Sequence, residues 1–500
     1  MKALRRAFSV YKSTFTRSIA EPEEYWREKA GGISWDRPFS TVLDSSHSPL
    51  LRWFPEGRLN MAFNCLDRHV HSGLGDEWAL IYDSPVTDRI VHYTYSELLD
   101  EVKRFAGVLA FRHGVQQGDR VLIYMPMVPE ALVAMLACAR LGATHSVVFG
   151  GFAAKELSSR IVDCAPKVIV SASCGIEPQR VIAYKPLLDA AIELAGKSGL
   201  PDADKIHSIV YQRKGQNVPC VFRPHTDFDF YQEMANCKSH DSVASVPSSH
   251  PLYILYTSGT TGTPKGVVRD TGGYAVALNA SFEQLYGIEK GDVMWAASDI
   301  GWVVGHTCIT YGPLLRGATT VLYEGKPVST PDAGAWWRVI ASHEVKCMFG
   351  APTSIRAIKK EDPKGKLMKM YNLSCLKHFT LAGERCDPNT LQWLESHLPK
   401  GILLNDHWWQ TESGWPMIGN FAGLEQFNVK MGSATKPVPG WDIQIMGENN
   451  KPAARNTLGK VVVKLPTPPG FMSTLWRNDQ AFIDKYFKDI PGFYLTVKSI

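Results

Sequence analysis

The chain of 500 residues is long enough for two or three domains. Its composition, with 45% hydrophobic and 21% charged residues, is typical of a globular protein and excludes disordered and collagen-like classes. The 54 basic and 49 acidic residues leave a net charge of only +5, which argues against a nucleic-acid partner. No apolar run approaches the roughly 20 residues that a membrane-spanning helix needs, so we expect a soluble protein without a membrane partner. The 10 cysteines form no Cys-x-x-Cys pair, which indicates free thiols in a reducing compartment rather than zinc or redox sites.

The first 20 residues contain five basic residues and no acidic one, interleaved with serine and threonine. This composition is typical of a mitochondrial presequence and lacks the apolar segment of a secretory signal. Residues 1–20 are therefore predicted to direct the chain to the mitochondrial matrix. A merely basic N-terminal arm on a cytosolic protein is the alternative.

Helices alternate with short apolar strands over the first half of the chain. Thr94 and Glu97 form a capping box that predicts the start of a helix, which Gly114 is predicted to close, and a second helix is predicted over 130–140. Short buried strands are predicted at 121–124, 146–149, 168–170 and 209–211. Strands that are apolar throughout are covered on both faces, so this alternation predicts a parallel α/β architecture.

Three further regions complete the predicted organisation. Polar residues and prolines over 214–250 predict a long surface connection. A second α/β series is predicted from there to about residue 440. The stretch 441–465 is predicted to form a small β-rich section.

A glycine-rich loop follows directly on the apolar strand predicted over 252–256. Its sequence over 257–266 is TSGTTGTPKG, which fits neither a Walker A loop nor the dinucleotide-binding fingerprint. Glycines let backbone N–H groups approach phosphate oxygens, while hydroxyls and a lysine add donors and charge. The loop therefore predicts phosphate binding, with a plain flexible loop as the alternative.

This loop resembles the phosphate loop of the adenylate-forming superfamily, which includes acyl-CoA synthetases, luciferases and the adenylation domains of peptide synthetases. Further segments resemble the acetyl/propionyl-CoA synthetase branch of that superfamily. They lie at 53–60, 67–69, 145–152, 297–302, 311–314, 383–385 and 408–412. Within the branch, the segments 82–87, 272–274 and 382–387 resemble a mitochondrial, propionate-preferring member.

The resemblance implies a two-step reaction, in which a carboxylate and ATP give acyl-AMP and pyrophosphate, and coenzyme A then displaces AMP. It implies ATP, Mg²⁺ and coenzyme A as cofactors, with propionate and acetate as small-molecule substrates. The β- and γ-phosphates are implied to bind to Thr257, Ser258, Gly259, Thr260, Thr261, Gly262 and Lys265.

The resemblance also implies roles for two later segments. Glu412 matches the magnesium carboxylate and Thr411 the residue that hydrogen-bonds the α-phosphate. With Thr257 and Lys265, these two residues make up the predicted catalytic set. The predicted adenine-binding positions are Gly383, Glu384, Arg385, Asp406, His407, Trp408, Trp409 and Gln410. A core role for the two tryptophans is the alternative.

The acyl pocket is implied to be shaped by Val303, Val304, Ala382 and Trp409. A tryptophan floor leaves room for a short chain only, and Ala382 is smaller than the valine of acetate enzymes, which favours propionate. The coenzyme A stretch is implied at Glu177, Pro178, Gln179 and Arg180, with Arg180 against a phosphate of coenzyme A.

The implied fold class is α/β, namely the large N-terminal domain of the adenylate-forming fold with two layered α/β subdomains and a small β-rich section. The predicted domains are an N-terminal acetyl-CoA-synthetase-type segment at 21–85 and the AMP-binding (adenylation) domain at 86–496. Residues 497–500 diverge from the family's Gly-Asp motif, so the C-terminal lid is expected to be absent.

Two alternative functions remain at this point. A chain without the lid is also consistent with a catalytically crippled nucleotide- or acyl-binding form. An aryl or long-chain ligase is disfavoured by Trp409. The sequence leaves the oligomeric state open.

Overall fold

The computed structural model describes residues 9–216, 218–257 and 264–499, and for residues 497–499 only the backbone. Two large sheets organise the chain. Sheet A has eight strands, of which the first six pair in parallel, while the last two pairings are antiparallel. In spatial order its strands are Asp227–Asp229, His207–Tyr211, Val168–Ala172, Arg120–Tyr124, Thr144–Val147, Pro251–Thr257, Lys265–Asp270 and Thr474–Leu475.

Sheet B has seven strands, all parallel except the hairpin at one edge. In spatial order its strands are Leu403–Asp406, His378–Leu381, Cys347–Gly350, Val293–Ala296, Thr319–Tyr323, Trp78–Ser84 and Arg89–Thr94. Sheet C is small and antiparallel and consists of Ile443–Met446, Lys460–Lys464 and Phe493–Ser499. It confirms the β-rich section predicted over 441–465.

Two-stranded ribbons and helices make up the rest of the described structure. The ribbons pair Leu43–Asp44 with Arg52–Trp53, Arg58–Leu59 with Val246–Pro247, Cys174–Glu177 with Arg180–Ala183, and Ile418–Gly419 with Lys436–Pro437. The α-helices are Val10–Ala20, Pro22–Ala30, Tyr95–Gly107, Pro129–Leu141, Ala154–Cys164, Tyr184–Lys197, Phe230–Ala235, Gly272–Gln284, Gly312–Leu315, Ala335–Ser342, Pro352–Glu361, Pro388–His397 and Asp479–Tyr486. Four π-helical segments, Phe63–Asp67, Val70–Leu74, Val108–Arg112 and Gly305–Tyr311, and two 3₁₀ turns, Ala203–Lys205 and Met368–Met370, complete the set. Among these helices, none is long and apolar enough to cross a membrane.

The predicted helices start at their sequence signals, and the first continues beyond Gly107 as the π-helical segment Val108–Arg112 to Gly114, which has a φ of +63°. Thr94 caps the helix Tyr95–Gly107 in a capping box with Glu97, as predicted. The helix predicted over 130–140 is Pro129–Leu141, and all of its side chains are buried. Because every face of this helix is apolar, it lies in the interior rather than at the surface.

The core is layered, and alternate residues of one strand face different layers. In the strand Arg120–Tyr124, Val121 and Ile123 belong to the central cluster, whereas Leu122 and Tyr124 belong to a separate cluster on the other face. Strands of sheet B divide in the same way between the central cluster and a second outer cluster. The two sheets therefore share one central core and each has an outer one. This confirms the two layered α/β subdomains.

Residues 214–250 are not the long surface connection that the sequence predicted. They contain the strand Asp227–Asp229, which extends sheet A, and the helix Phe230–Ala235. Phe230 is buried and stacks on Phe105 with ring centres 4.4 Å apart. This aromatic contact, the capped short helix and the pairing of Val246–Pro247 with Arg58–Leu59 bind the polar segment to the body. The strand predicted at 146–149 is also shifted and spans Thr144–Val147.

Two predicted boundaries fall within packed parts of the structure. The boundary at residue 85 falls in the turn between the strands Trp78–Ser84 and Arg89–Thr94, which pair with each other. The segment predicted as a presequence contains the helix Val10–Ala20, in which Tyr11 is buried and its hydroxyl donates to the carbonyl oxygen of Pro437 at 2.9 Å. Residues 10–20 are thus part of the folded body, and residues 1–8 lie outside the described residues.

Candidate active site

The segments predicted to bind ligands follow the carboxyl ends of strands in both sheets. In sheet B, His378–Leu381 is followed by residues 382–385, and Leu403–Asp406 by residues 407–412. In sheet A, Pro251–Thr257 leads into the glycine-rich loop. Ligand sites of α/β folds lie at this edge, where loops from several strands converge. The topology therefore brings together segments that are far apart in the sequence.

The glycine-rich loop connects two antiparallel strands of sheet A. Thr257 ends the first strand and pairs with Lys265, which begins the second, and both are half-buried. The residues between them that were predicted to bind phosphate, namely Ser258, Gly259, Thr260, Thr261 and Gly262, lie outside the described residues. Their role therefore stays a prediction, while the structure describes the two ends of the loop.

Arg269 connects this hairpin to the segment that carries Thr411 and Glu412. Its buried guanidinium donates to the carbonyl oxygens of Thr411 at 2.5 Å, Glu412 at 3.1 Å and Gly470 at 2.6 Å. The same guanidinium lies 5.8 Å from the centre of the Tyr253 ring. A buried cation needs such partners, and each carbonyl needs its donor, so the contacts hold both segments in place. Arg269 thus sets the position of Glu412 relative to the hairpin.

Glu412 presents a single carboxylate beside the hairpin. Its Oε1 accepts a hydrogen bond from the Tyr486 hydroxyl at 3.1 Å. Nowhere in the described parts of the chain does a group of three His, Cys, Asp or Glu side chains occur that could hold a metal alone. Mg²⁺ is commonly held by one or two carboxylates and completes its shell with water and substrate phosphates. The donor set at Glu412 therefore fits magnesium that arrives with ATP.

A second lysine lies beside Lys265. Lys485 stands in the last turn of the helix Asp479–Tyr486, half-buried, with its Nζ 4.9 Å from the centre of the Tyr486 ring. Partial burial and the neighbouring Lys265 ammonium lower the pKa of Lys485 to about 8, and the Glu412 carboxylate opposes this shift. Two lysines and one carboxylate therefore meet at the end of the hairpin.

The first segment predicted to bind adenine, residues 383–385, is exposed, and two of its side chains already contact protein partners. Glu384 forms an ion pair with Arg356 at 2.5 Å, and Arg385 lies against Gly432. Gly383 has a φ of +102°, in the left-handed region that favours glycine, and no heavy atom lies within 4 Å of its missing Cβ. The open backbone at Gly383 is therefore the part of this segment that a flat ring can approach.

The second adenine segment begins with one polar and one core residue. Asp406 accepts a hydrogen bond from the backbone N–H of Cys386 at 3.2 Å, and burial raises the pKa of Asp406 to about 6. His407 is buried, and burial lowers its pKa to about 4. Its Nδ1 donates to the carbonyl oxygen of Leu381 at 2.6 Å, and its Nε2 accepts from the Tyr286 hydroxyl at 3.0 Å. The side chain of His407 has no free ring nitrogen, so only its backbone remains for the predicted adenine contact.

The next residues form a turn that side-chain contacts support. The backbone N–H of Trp408 donates to the carbonyl oxygen of Ile418 at 2.9 Å, and that of Gln410 to the Ser413 hydroxyl at 3.0 Å. The Gln410 side chain also accepts from the Tyr494 hydroxyl at 3.1 Å. This turn carries the chain from the strand end to Glu412.

The four residues predicted to shape the acyl pocket belong to one apolar cluster, the central core. Val303 and Ala382 are buried, and Val304 and Trp409 are half-buried against them. The Trp409 ring stands nearly perpendicular to that of Phe349, with centres 6.3 Å apart. A rigid aromatic side chain at the edge of a packed core fits the predicted floor of a small pocket.

The predicted coenzyme A stretch forms an exposed hairpin. The strands Cys174–Glu177 and Arg180–Ala183 pair only with each other, which places Pro178 and Gln179 in the turn. Pro178, Gln179 and Arg180 are exposed. The hairpin is therefore accessible to a ligand but is held by few neighbours.

Arg180 is engaged in an ion pair within this hairpin. Its Nε donates to Oε2 of Glu177 at 2.8 Å, and the Lys326 ammonium lies 3.5 Å from the same carboxylate. The hydrogen bond from Arg180, together with Lys326, lowers the pKa of Glu177 despite partial burial. Arg180 is therefore positioned by Glu177 rather than free in solvent.

A cavity of about 250 Å³ opens between the carboxyl edges of the two sheets, next to the hairpin. Its lining includes Glu177, Pro178, Phe149, Asp299, Glu324 and Lys326. Asp299 accepts from the backbone N–H of Gly301 at 2.7 Å, and burial raises the pKa of Asp299 to about 6. Glu324 forms a buried ion pair with Arg213 at 2.5 Å. Asp299 and Glu324 both lie in the wall of this cavity, and the sequence analysis assigned no role to either.

The sequence of this chain matches a known family over most of its length. The model described as AMP-binding enzyme matches residues 66–476, and the one described as acetyl-coenzyme A synthetase N-terminus matches residues 11–65. The chain belongs to the AMP-binding enzyme family. The predicted membership of the adenylate-forming superfamily, in its acetyl/propionyl-CoA synthetase branch, is thereby confirmed.

Curated relatives of this AMP-binding enzyme align along nearly its whole length. The human mitochondrial acyl-CoA synthetase short-chain family member 3 is 51% identical over 491 residues, which cover 98% of this chain and 70% of the relative. The propionate–CoA ligase of Escherichia coli is 42% identical over 478 residues, which cover 95% of this chain and 74% of the relative. The mitochondrial acyl-CoA synthetase short-chain family member B of Dictyostelium discoideum is 42% identical over 496 residues, which cover 98% of this chain and 70% of the relative.

Two residues of the site of this AMP-binding enzyme were not found from the sequence. Arg269 follows Val267 and Val268 in the buried strand Lys265–Asp270, and an arginine inside a buried strand is a signal that a buried partner exists. Lys485 has no such signal, because a lysine on a short amphipathic helix is ordinarily a solvated charge. Only the packing of that helix places Lys485 at the hairpin.

Proposed function

We propose that the chain is an AMP-forming short-chain acyl-CoA synthetase that activates propionate, and secondarily acetate, with ATP and transfers the acyl group to coenzyme A. One observation carries the proposal. The hairpin that holds Lys265 and the segment that holds Glu412 are joined by Arg269, and Trp409, three residues before Glu412, packs on the apolar cluster that contains Val303 and Ala382.

The residues of the hairpin and of the segment 411–412 would act on the phosphates of ATP. Lys265 supplies a cation at the end of the loop, and Thr411 a hydroxyl next to the carboxylate of Glu412. Magnesium, held by Glu412 and the phosphate oxygens, would offset the charge that develops as pyrophosphate leaves. Because Arg269 fixes this segment beforehand, the donors need little reorganisation during the reaction.

The acyl preference is argued from the floor and wall of the pocket. Trp409 packs at the edge of the central core and limits the depth of the pocket, while Ala382 leaves room for one more methylene than a valine would. One methylene in such a pocket is worth about 1–3 kcal/mol, enough to discriminate between neighbouring acids. The coenzyme A site is proposed at the hairpin 174–183, beside the cavity that contains Glu177 and Lys326.

The test uses a series of straight-chain acids. We expect the purified chain to bind adenylate analogues that carry acetyl, propionyl, butyryl and hexanoyl groups, with propionyl bound most tightly and hexanoyl least. Calorimetric titration measures the affinities, and pyrophosphate release with ATP, Mg²⁺ and the same four acids measures the first step. Hexanoyl as the preferred group would reject the short-chain assignment, and no binding of any adenylate would reject the proposal as a whole.

A mitochondrial location is proposed from the basic, acid-free N-terminus and from the mitochondrial names of the similar relatives. A fluorescent protein fused to the C-terminus reports it. We expect the fusion to enter mitochondria and a deletion of residues 1–8 to return it to the cytosol. This deletion spares the helix Val10–Ala20, so a loss of import is not a loss of folding. A cytosolic signal from the undeleted fusion would contradict the proposal.

A further inference from the structure

We propose that Lys485 is a second phosphate-binding lysine of this site, and that its ammonium binds the outer phosphates of ATP, and afterwards pyrophosphate, together with Lys265. This inference deepens the proposed function, since it assigns a residue to the phosphate end of the ATP site. It rests on the placement of one short helix and on the charges that meet there.

Contacts at both ends of the helix Asp479–Tyr486 fix the position of its last turn. Asn478 caps it by accepting a hydrogen bond from the backbone N–H of Ala481 at 3.0 Å, and Phe482 is buried in the central core. At the other end Tyr486 is buried, and its hydroxyl donates to Glu412. Lys485, one residue earlier, is carried to the same edge.

The groups around Lys485 carry an excess of positive charge. The segment that leads into the helix pairs with the hairpin, and the backbone N–H of Trp476 donates to the carbonyl oxygen of Gly266, next to Lys265, at 2.7 Å. The Tyr486 hydroxyl donates to Glu412, so the ammonium groups of Lys265 and Lys485 and the carboxylate of Glu412 come together. Two adjacent ammonium groups with one nearby carboxylate repel each other. An anion of high charge density between the lysines removes that repulsion.

The chemistry of the neighbouring loop identifies the anion. Lys265 begins the strand that follows the glycine-rich loop, so an anion that bridges the two lysines lies at the end of that loop. Glu412 would bring magnesium to the same place, and magnesium is usually bound through phosphate oxygens. A magnesium-bound di- or triphosphate therefore fits all three groups, whereas AMP has no outer phosphates to bridge the two lysines.

The test compares ligands that differ only in their outer phosphates. Lys485→Gln, Lys485→Arg and the matched control Lys488→Gln are prepared in the full chain. Lys488 follows Lys485 by three residues, is largely exposed and forms an ion pair with Asp484 at 3.7 Å. Each protein is titrated by calorimetry with MgATP, with AMP and with magnesium pyrophosphate.

We expect Lys485→Gln to weaken MgATP and magnesium pyrophosphate binding about 10- to 100-fold, the effect of losing one charge-assisted hydrogen bond, and to leave AMP binding unchanged. Lys485→Arg should restore most of the affinity, and Lys488→Gln should match the unaltered protein. Equal weakening of AMP and MgATP would show a structural defect and overturn the inference, as would unchanged MgATP binding in Lys485→Gln.

The outcome for Lys485 is separable from that for the proposed function. If the unaltered protein bound MgATP but released no pyrophosphate with any acid, the proposed function would fail. The contact of Lys485 with the outer phosphates could still be measured by the binding of MgATP. If the unaltered protein bound no MgATP, the role of Lys485 would be tested by magnesium pyrophosphate binding alone. Equal affinities of the unaltered protein and Lys485→Gln for magnesium pyrophosphate would then overturn the inference.

Discussion

The segment that contains Glu412 and the hairpin 174–183 are both predicted to bind ligands, yet they are held in different ways. The backbone carbonyls of Thr411 and Glu412 accept hydrogen bonds from the buried Arg269. The hairpin is a separate two-stranded ribbon whose main side-chain contact, from Arg180 to Glu177, lies at the surface. The contacts of the first region converge on a buried guanidinium, while the turn of the second carries an ion pair that water and salt screen.

This difference matches the demands of the two proposed ligands. Stabilising charge as pyrophosphate leaves requires donors that are fixed before the reaction, since reorganisation would cost free energy at the transition state. Recognising the phosphate of a long, flexible cofactor requires only a cation within reach. Replacing side chains in the two regions should therefore give effects of very different size.

The largest effect is expected for Arg269→Met. The carbonyl oxygens of Thr411 and Gly470 lose their donor, while that of Glu412 keeps the backbone N–H of Met472. Each unpaired group costs about 1–3 kcal/mol, so the free energy of unfolding should fall by roughly 2 kcal/mol or more. MgATP binding should weaken as well, because Glu412 is no longer fixed. Urea unfolding and calorimetry measure the two effects.

The matched control for this variant is Arg316→Met. Arg316 is a half-buried arginine outside the hairpin, and its side chain donates to the carbonyl oxygen of Ile288 at 3.0 Å. It should lower stability by about 1 kcal/mol and leave MgATP binding unchanged. If the two variants behaved alike toward MgATP, the positioning role of Arg269 would be wrong.

A smaller loss, confined to the reaction, is expected for Glu412→Gln. The amide keeps an oxygen that can accept from Tyr486 but loses the charge that holds magnesium, so pyrophosphate release should fall about 100-fold or more at nearly constant stability. Release rates are measured over a range of magnesium concentrations. Glu395→Gln, at an exposed position on the helix Pro388–His397, serves as the control. A rate within a few-fold of the unaltered protein would remove Glu412 from the predicted catalytic set.

Ala382→Val tests whether the acyl pocket lies beside the segment that contains Glu412, as predicted. The added methyl groups should reduce the room for propionate and shift the preference toward acetate by about 10-fold, since one methylene is worth about 1–3 kcal/mol. Competition between the acetyl and propionyl adenylate analogues measures this ratio. Ala333→Val, in the outer core of sheet B, should alter stability without altering the ratio. An unchanged ratio in Ala382→Val would place the pocket elsewhere.

The smallest change in stability is expected for Arg180→Gln. Exposed ion pairs contribute about 0–1 kcal/mol, so unfolding in urea should be nearly unchanged. Coenzyme A binding should nevertheless weaken about 10-fold, the effect of losing one charge-assisted hydrogen bond to a phosphate. Lys197→Gln removes a comparable exposed pair with Glu193 and should change neither quantity. Coenzyme A binding that survives Arg180→Gln intact would show that the hairpin is not its site.

Local signals in the sequence predicted many elements correctly. The capping box at Thr94, the apolar strand 120–124 and the helix Pro129–Leu141 all follow from side chains that are neighbours along the chain. The prediction of a surface connection over 214–250 was wrong because the strand and helix of this segment pack against residues far away in the sequence. Phe230, for example, stacks on Phe105. Polar composition says little about a segment whose few apolar residues find a place in the core.

The site could be predicted only as far as its motifs extend. The segments that contain Lys265, Thr411 and Glu412 were identified by their residue types and order, and the structure brings their described parts to one edge. The occupied ring of His407 was not predictable, because its partners Leu381 and Tyr286 lie far away in the sequence. Residue type alone does not say which atoms remain free for a ligand.

The sequence by itself determined the alternation of helices with buried strands, the glycine-rich loop and the membership of the family. Only the tertiary structure decided which strands share a sheet. The early hairpin 78–94 joins sheet B, and the later hairpin 251–270 joins sheet A, so each sheet combines strands from distant parts of the chain. Strand propensity depends on local side chains, whereas pairing depends on which faces can be buried together. For the same reason Arg269 and Lys485 could be assigned to the site only once the packing of their strand and helix was known.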